Sequence, residues 1–379
     1  MVRIEPMPSR RITTESLAES LRETYPELGA IGAAAGDPVY LVGGAVRDLL
    51  LGQGRADIDL AVVGDPADLA SALGAATLSE HERFATAKVE LDGHRIDIAG
   101  TRTETYPAPG ALPVVAPAES IEADLGRRDF SINAMAIPLA SPADLIDPFG
   151  GREDLEQGLL RVLHPDSFRD DPTRALRAAR YAARFGFELD PGTEELLRHA
   201  DLGTVSEDRE RAELLRLAAE PSAPRGFELL AEWGLIELRE GGVELAGTVI
   251  ELLGSSPWQG EASQAETVLA AVVGPAGSET ELAAAEPERP SQGVELAEGH
   301  GPVELALARA LGAGWLDEYV SAWRAVKLEI DGSDLLAAGI PEGPAMGRGL
   351  GAALRKKLDG EIDGRDAELT AAVEAATSS

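Results

Sequence analysis

VYLVGGAVRDLLLGQGRADIDLAVVG (39–64) is the stretch whose reading decides the fold. VYLV (39–42) is a short β-forming apolar run that stops at Gly43-Gly44, which predicts a strand. AVRDLLLG (45–52) spaces its apolar residues for a helix of about two turns, closed by Gly52. DIDLAVVG (57–64) alternates and then runs apolar, which predicts a second strand. Strand, glycine pair, short helix and strand together make an α/β unit.

Side chains two apart on a strand share a face, so Asp57 and Asp59 stand side by side. Two carboxylates so placed repel each other unless a cation lies between them. Oxygen ligands of this kind suit Mg²⁺, which keeps few protein ligands and takes others from water and substrate phosphates. The spacing alone also describes a solvated strand edge; what lies upstream favours the ion. Gly43 and Gly44 let backbone approach a phosphate, the helix behind them offers unpaired N–H groups, and Arg47 adds a charge-assisted contact. This is an arrangement for a triphosphate with magnesium. It is not a Walker loop, because G-x-x-x-x-G-K-[ST] is absent, and no G-x-G-x-x-G follows the strand as a dinucleotide fold requires. Asp97, inside HRIDIAG (94–100), is a third strand carboxylate. It is placed either to activate an attacking hydroxyl or to pair with Arg95 or Arg102.

Outward from this core, residues 14–35 predict one leading helix and 66–74 another. TAKVEL (86–91) and HRIDIAG (94–100) predict two strands around an Asp92-Gly93 turn. TYPAPGALPVVAPA (105–118) holds four Pro and one Gly, which predicts a long loop. SIEADLGRRDFSINAMAIPL (120–139) predicts helix for much of its length. Its Arg127-Arg128-Asp129 and Asn133 suit a ribose and triphosphate, or equally a capped surface helix. From about 150 to 240 the pattern is helical throughout. Residues 241–300, rich in Gly, Ala and Glu, predict short helices on an exposed segment. Residues 301–370 return to helix, broken at GIPEGP (339–344).

FRDDPTRALRAARYAARFGF (168–187) predicts a helix capped by Asp170 or Asp171 with Pro172 at its start. At helical spacing Arg174, Arg177, Arg180 and Arg184 share one arc, with small residues filling much of the rest. A close-packed back leaves the arginines to face a cleft, where an Arg–Asp pair presents the donors and acceptors that match base edges.

The chain has 379 residues, room for two to three domains, and its 44% hydrophobic content is that of a globular protein. The absence of cysteine excludes disulfides, a thiolate nucleophile and zinc ribbons. A charged N-terminus without an apolar run predicts no secretion signal, no membrane span is expected, and the expected compartment is the cytoplasm. The net charge of −32 argues against a simple nucleic-acid coat. Its distribution is uneven: residues 240–300 carry eleven Glu and one Arg, whereas 161–184 carry six Arg against three Asp. A polyanion would use the second stretch, and the acidic residues are expected away from the cleft.

LVGGAVRDLLLG, DIDLAVVG, DLGRRDFSINAMA, DPFGGREDLEQGLLRV and DDPTRALRAARYAARFGF, in this order over residues 38–190, resemble the successive motifs of class II tRNA nucleotidyltransferases. That family comprises the CCA-adding enzymes and the bacterial poly(A) polymerases. RERAELLRL (209–217), GLIEL (234–238) and IDGSDLLAAGIPEGPAMGRGL (330–350) resemble its later parts more loosely. The departures are small: DDPTR stands where EDPLR is usual, and Ser131 replaces a Thr. Residues 241–300 match nothing recognisable. No adjacent His-Asp pair occurs, so an appended phosphohydrolase domain is not expected.

The resemblance implies a DNA-polymerase-beta-like α/β head (1–140), then an all-α neck (141–205), body (206–300) and RNA-binding tail (301–379). It implies Asp57 and Asp59 as Mg²⁺ ligands; Asp97 is a further catalytic candidate on its strand position alone. Gly43, Gly44 and Arg47 would hold the triphosphate, and Arg128, Asp129 and Asn133 the nucleotide near its ribose. Asp171 and Arg174 would choose C or A, with Arg177 and Arg180 as further nucleotide contacts. The segment 105–118 stands where the family has a flexible loop linked to the switch from C to A. The implied reaction adds CCA, from CTP and ATP, to the 3′ end of tRNA, with no protein partner implied. The alternatives are poly(A) addition, CC-only or A-only addition, and a non-catalytic RNA-binding relative.

Overall fold

The computed structural model describes residues 14–74, 76–81, 86–91, 93–275 and 277–378. It divides into two units, Met1–Leu217 with Leu229–Ile236, and Ala218–Glu228 with Glu237–Ser379.

The first unit opens with α1 (Thr14–Thr24) and α2 (Leu28–Ala34). They replace the single helix expected over 14–35. Pro26 removes a backbone donor and disfavours helical geometry at Tyr25, so the chain turns there. The expected α/β unit follows as β1 (Val39–Val42), α3 (Gly44–Leu50), β2 (Ile58–Val62) and α4 (Pro66–Leu73). Asp65 caps α4 by accepting from the Ala67 N–H at 2.9 Å. β3 (Ala76–His81), which the sequence reading leaves out, precedes β4 (Thr86–Leu91) and β5 (His94–Gly100). β4 and β5 pair antiparallel as the hairpin expected there. Of its two turn residues, Asp92 lies outside the described residues.

Residues 105–118 are not one loop. β6 (Arg102–Thr105) and β7 (Val114–Pro117) form an antiparallel hairpin. Pro117 is tolerated because it ends a strand in a two-stranded ribbon, where its missing N–H costs no interior bond. The helix expected over 120–139 is also cut short. α5 spans only Ile121–Leu125, a 3₁₀ turn covers Ser131–Asn133, and Ala136–Pro138 is β8. Tertiary bonding wins over local propensity here. β8 completes an edge of the sheet against β1, while the charged residues between turn inward to buried partners.

The six strands lie in the order β3-β4-β5-β2-β1-β8, with β2 and β5 parallel. Val39, Leu41, Ile58, Leu60, Val62, Ile96 and Ile98 point into the main core with α1–α4. Val42, Ala61 and Ala136 point the other way, into a smaller core with Ile121 and Leu125. Each fully buried Ile or Leu stabilises by about 1.5–3 kcal/mol, so this alternation fixes the sheet's register and hence which face carries the aspartates.

Beyond the sheet come α6 (Gly151–Gln157), β9 (Leu159–Leu160), α7 (Ser167–Asp170), α8 (Thr173–Phe185), β10 (Glu188–Leu189), α9 (Pro191–Leu197) and α10 (Glu207–Ala218). The parallel β9–β10 pair interrupts the uniform helix expected over 150–240. α8 turns Ala175, Leu176, Ala178 and Ala179 inward, all at 1% exposure or less.

α11 (Ala223–Glu232) leads to the helices of the second unit: α12 (Gly242–Leu253), α13 (Gln264–Val273), α14 (Ser278–Ala284), α15 (Pro290–Ala297), α16 (Pro302–Ala310), α17 (Leu316–Ser321), α18 (Gly332–Ala337), α19 (Pro344–Leu358) and α20 (Arg365–Thr377). Residues 241–300 are not the exposed segment expected: Leu245, Val249, Val268 and Val272 are buried. Their i, i+4 spacing supplies a packing stripe that the surrounding alanines obscure. The break at 339–344 is present between α18 and α19. No helix among the described residues is long and apolar enough to cross a membrane.

Candidate active site

Along β2 and the residue before it, Asp57 and Asp59 are exposed while Ile58 and Leu60 are buried. The two carboxylates therefore share a face, opposite the main core. Parallel pairing sets Asp59 beside Asp97, and neighbouring strands lie about 4.8 Å apart. All three carboxylates thus stand on one face of the sheet. No side-chain hydrogen bond or ion pair from a described residue reaches the Asp57 or Asp59 carboxylate. Asp97 pairs with Lys88 Nζ at 2.7 Å, across the β4–β5 rung, and not with Arg95 or Arg102.

Asp59 stands between two hollows. A cleft of about 560 Å³ is lined by Gly44, Arg47, Arg55, Asp57, Asp59 and Arg184. A recess of about 380 Å³ is lined by Asp59, Lys88, Asp97, Arg127 and Arg128 among others. Crowding by surrounding protein pushes the Asp59 carboxyl above its ordinary value; Arg128 opposes this, while Asp97 and Asp57 add to it. The carboxylate pays for its charge without a direct partner.

The glycine pair brings backbone against a guanidinium. Gly43 has φ 69°, and a Cβ there would fall 2.7 Å from Arg128 Nη1. Arg128 is anchored by Nη2 donating to Asp124 Oδ2 at 3.1 Å and Nη1 donating to the Asn133 carbonyl at 3.5 Å. Its Nε is buried without a partner.

Arg47 is less open than a phosphate contact suggests. It is 4% exposed, with its guanidinium carbon 5.2 Å from the Tyr181 ring centre and 4.7 Å from that of Phe185. Nε donates to Asp48 Oδ1 at 2.8 Å and Nη1 to Asn133 Oδ1 at 2.7 Å. Arg47 therefore ties α3 to the 131–133 turn and to α8, and meets the cleft along one edge. Asn133 continues the chain by donating from Nδ2 to Asp129 Oδ1 at 2.9 Å.

The α8 arginines, expected to face a cleft, take internal partners instead, and of the four Arg184 is the one that lines the cleft of about 560 Å³. Arg177 Nε donates to Asp129 Oδ2 at 3.0 Å, and Nη2 donates to Asp171 Oδ2 at 3.0 Å. Its Nη1 reaches Thr173 Oγ1 and Glu213 Oε1. Asp171, not Asp170, caps α8, accepting from the Thr173 N–H at 3.1 Å. Arg174 is 2% exposed; Nη1 donates to Ser167 Oγ at 2.6 Å and Nη2 to the Arg127 carbonyl at 2.9 Å, leaving Nε buried and unpartnered. The Arg174 N–H donates to the Asp171 carbonyl at 3.0 Å, and no side-chain bond joins the two among these contacts. Arg180 packs over the Tyr181 ring at 4.6 Å.

Burial alone would raise the Asp129 and Asp171 carboxyls. Arg177 reverses this for both. Asn133 and the Phe130 N–H assist at Asp129, and Thr173 assists at Asp171, so both are held below the ordinary carboxylate range. Burial pushes the nearby Tyr106 hydroxyl up to about 12.

The sequence reading missed Asp124, Lys88, Tyr181, Phe185, Arg209 and Glu213. Asp124 had a signal, since it stands three and four residues before Arg127 and Arg128 on a helical turn. Glu213 contacts Arg177 across 36 residues of sequence, and no local pattern shows that.

Residues 39–161 match the family model described as the poly A polymerase head domain. An A-adding tRNA nucleotidyltransferase of Halalkalibacterium halodurans is 42% identical over 220 residues, 54% of this chain and 51% of that protein. This chain thus spans about half the length of that relative. A CC-adding tRNA nucleotidyltransferase of Deinococcus radiodurans is 36% identical over 347 residues, covering 87% of each chain. Among solved structures, a CCA-adding enzyme in an apo form superposes with TM-score 0.76 at 31% identity, over 95% of this chain and 98% of that one. With a likeness that runs nearly end to end, the chain belongs to the tRNA nucleotidyltransferase family whose head is shared with poly(A) polymerases.

Proposed function

We propose that this protein adds C and A to the 3′ end of tRNA, drawing on CTP and ATP and releasing pyrophosphate, without a nucleic-acid template. The carrying observation is the trio of same-face carboxylates, two of them without protein donors, beside the Gly43–Arg128 contact. The names of the relatives support the substrate class.

The residues fit a magnesium ion. Asp57 and Asp59 offer hard oxygen donors and have repulsion to relieve. Among the described residues no three His, Asp or Glu side chains form a cage, which suits an ion completed by substrate phosphates. When bound, Mg²⁺ would be held by Asp57 and Asp59 and would neutralise charge developing on the phosphates. The remaining work belongs to the chain. Gly43 and Gly44 leave room for the triphosphate, and Arg128 and the exposed edge of Arg47 give it positive charge. Asp129 and Asn133 orient the nucleotide through the network that fixes them. Asp97 takes the proton of the attacking 3′-hydroxyl, whose oxygen bonds to the α-phosphorus as the bond to the β-phosphate oxygen breaks. Asp171 and Arg174 select the base, with Arg177, which donates to Asp171, and Arg180 as further nucleotide contacts. A wrong base leaves buried partners unpaired, which such sites reject strongly. In this reading residues 1–140 are the head, 141–205 the neck, 206–300 the body and 301–379 an RNA-binding tail, acting in the cytoplasm.

Poly(A) addition is the second reading, since the matching head model carries that description. One gel separates the two. The pure protein is given tRNA lacking CCA, CA or only the terminal A, with each labelled nucleotide. The proposal expects C on the first two ends and a single A on the last. Long A tails support the second reading, and no extension of any end sinks both.

A further inference from the structure

His164 stands half-buried in the turn between β9 and α7, against Arg174. Arg174 Nη1 lies 3.3 Å from His164 Nε2 and donates to Ser167 Oγ at 2.6 Å, while Nη2 donates to the Arg127 carbonyl. A guanidinium has donors and no acceptor, so the contact requires Nε2 to accept. The ring is therefore neutral, with its proton on Nδ1. One turn sets both acceptors, because the Ser167 N–H donates to the His164 carbonyl at 3.2 Å. A proton on Nε2 would set two N–H groups face to face and place two cations 3.3 Å apart.

We infer that His164 is a positioning residue for base selection: its neutral ring holds the Arg174 guanidinium in its plane, and a protonated ring releases it, so discrimination between C and A depends on pH. The inference rests on the proposed function, in which Arg174 meets the base. The charged groups facing the ring are Arg174 on α8, Asp170 on α7 and Asp166 just before α7. Burial and Arg174 hold the ring below its ordinary value, and the two carboxylates oppose them. Asp166 also accepts from Arg169 at 3.4 Å, which tempers its pull. The ring thus stays neutral at physiological pH and gains its charge below the ordinary histidine value near ~6.5. Ser167 does not replace it, because a hydroxyl turns with its donor and fixes a point rather than a plane.

The test measures kcat/KM for the correct and the wrong nucleotide on one tRNA end, from about pH 8 to about pH 5, in the wild type, His164→Gln and His164→Leu. The ratio of the two values is read, so titration of the triphosphate, common to both nucleotides, cancels. Melting temperatures are recorded at each pH. Glutamine brings a carbonyl oxygen to the place of Nε2 and does not titrate, whereas leucine fills the space without an acceptor. His164→Gln is expected to keep the wild-type ratio at every pH above the histidine transition and to stay flat below it. His164→Leu should be lower by roughly tenfold throughout, the scale of a coupling between contacting groups. The wild type should match the glutamine variant at about pH 8 and move towards the leucine variant as pH falls, with its midpoint below ~6.5. A folded His164→Leu with a ratio within about twofold of wild type at about pH 8 overturns the inference. So does a glutamine variant that loses as much as leucine, or one whose ratio follows the wild type's across the whole range. Should His164→Leu fail to fold, the wild type against His164→Gln decides alone. Wild-type protein that adds neither nucleotide, or a folded Arg174→Gln with an unchanged ratio, sinks the proposed function instead, so the two failures are distinguishable.

Discussion

Asp59 carries a charge that the protein crowds and does not pair. Its carboxyl is raised, so at neutral pH the ionised form weakens the fold, and the penalty disappears as pH falls through its folded value. Asp59→Asn should therefore stabilise the magnesium-free protein, by about 0.5–1 kcal/mol at most because the side chain is open to solvent. Mg²⁺ should raise the melting temperature of the wild type and not of the variant. An equal shift in both would place the ion elsewhere. Arg47 makes the opposite case. Its bonds to Asp48 and Asn133 are buried, so Arg47→Met leaves both partners stranded and should cost about 3 kcal/mol in urea unfolding. A loss below about 1 kcal/mol would mean that the arginine is free for ligand rather than built into the fold. At this scale the sequence marked Asp59 and Arg47 as candidates. It did not show that Arg47 is enclosed, because Tyr181 and Phe185 lie more than 130 residues away.

Among the elements, β1, α3, β2 and α8 were legible because each has an apolar period and a clear stop. The 120–139 segment was not. Its helical composition is overridden by a sheet edge and by buried charge, neither of which is local. The contacts around α8 have a pH signature. Asp129 and Asp171 lie below the ordinary carboxylate value in the folded chain, chiefly against burial and through Arg177. Their stabilisation is thus complete above the unfolded value near ~4 and is lost as pH falls below it. Melting temperature should drop from about pH 4 downward, and less steeply in Arg177→Met, which is already weakened at neutral pH. Equal slopes would mean that these two carboxylates do not drive the acid transition.

Over the whole molecule, the net charge of −32 repels RNA at long range, so the proposed RNA affinity has to come from local groups. The arginine-rich stretch 161–184 belongs to the first unit, and the acidic stretch 241–300 to the second. The first unit was readable because its motifs carry chemistry in a fixed order. The second was read only as helical, since alanine and glycine hide the stripe that packs it. The most direct test of the account is incorporation of labelled CTP and ATP into tRNA lacking its 3′ end, with Mg²⁺, comparing wild type with Asp57→Asn and Asp59→Asn. Loss of either proposed metal carboxylate should lower the rate by at least about 10³-fold with the fold intact, a few kcal/mol of transition-state stabilisation. Either variant extending tRNA at near the wild-type rate would contradict the account.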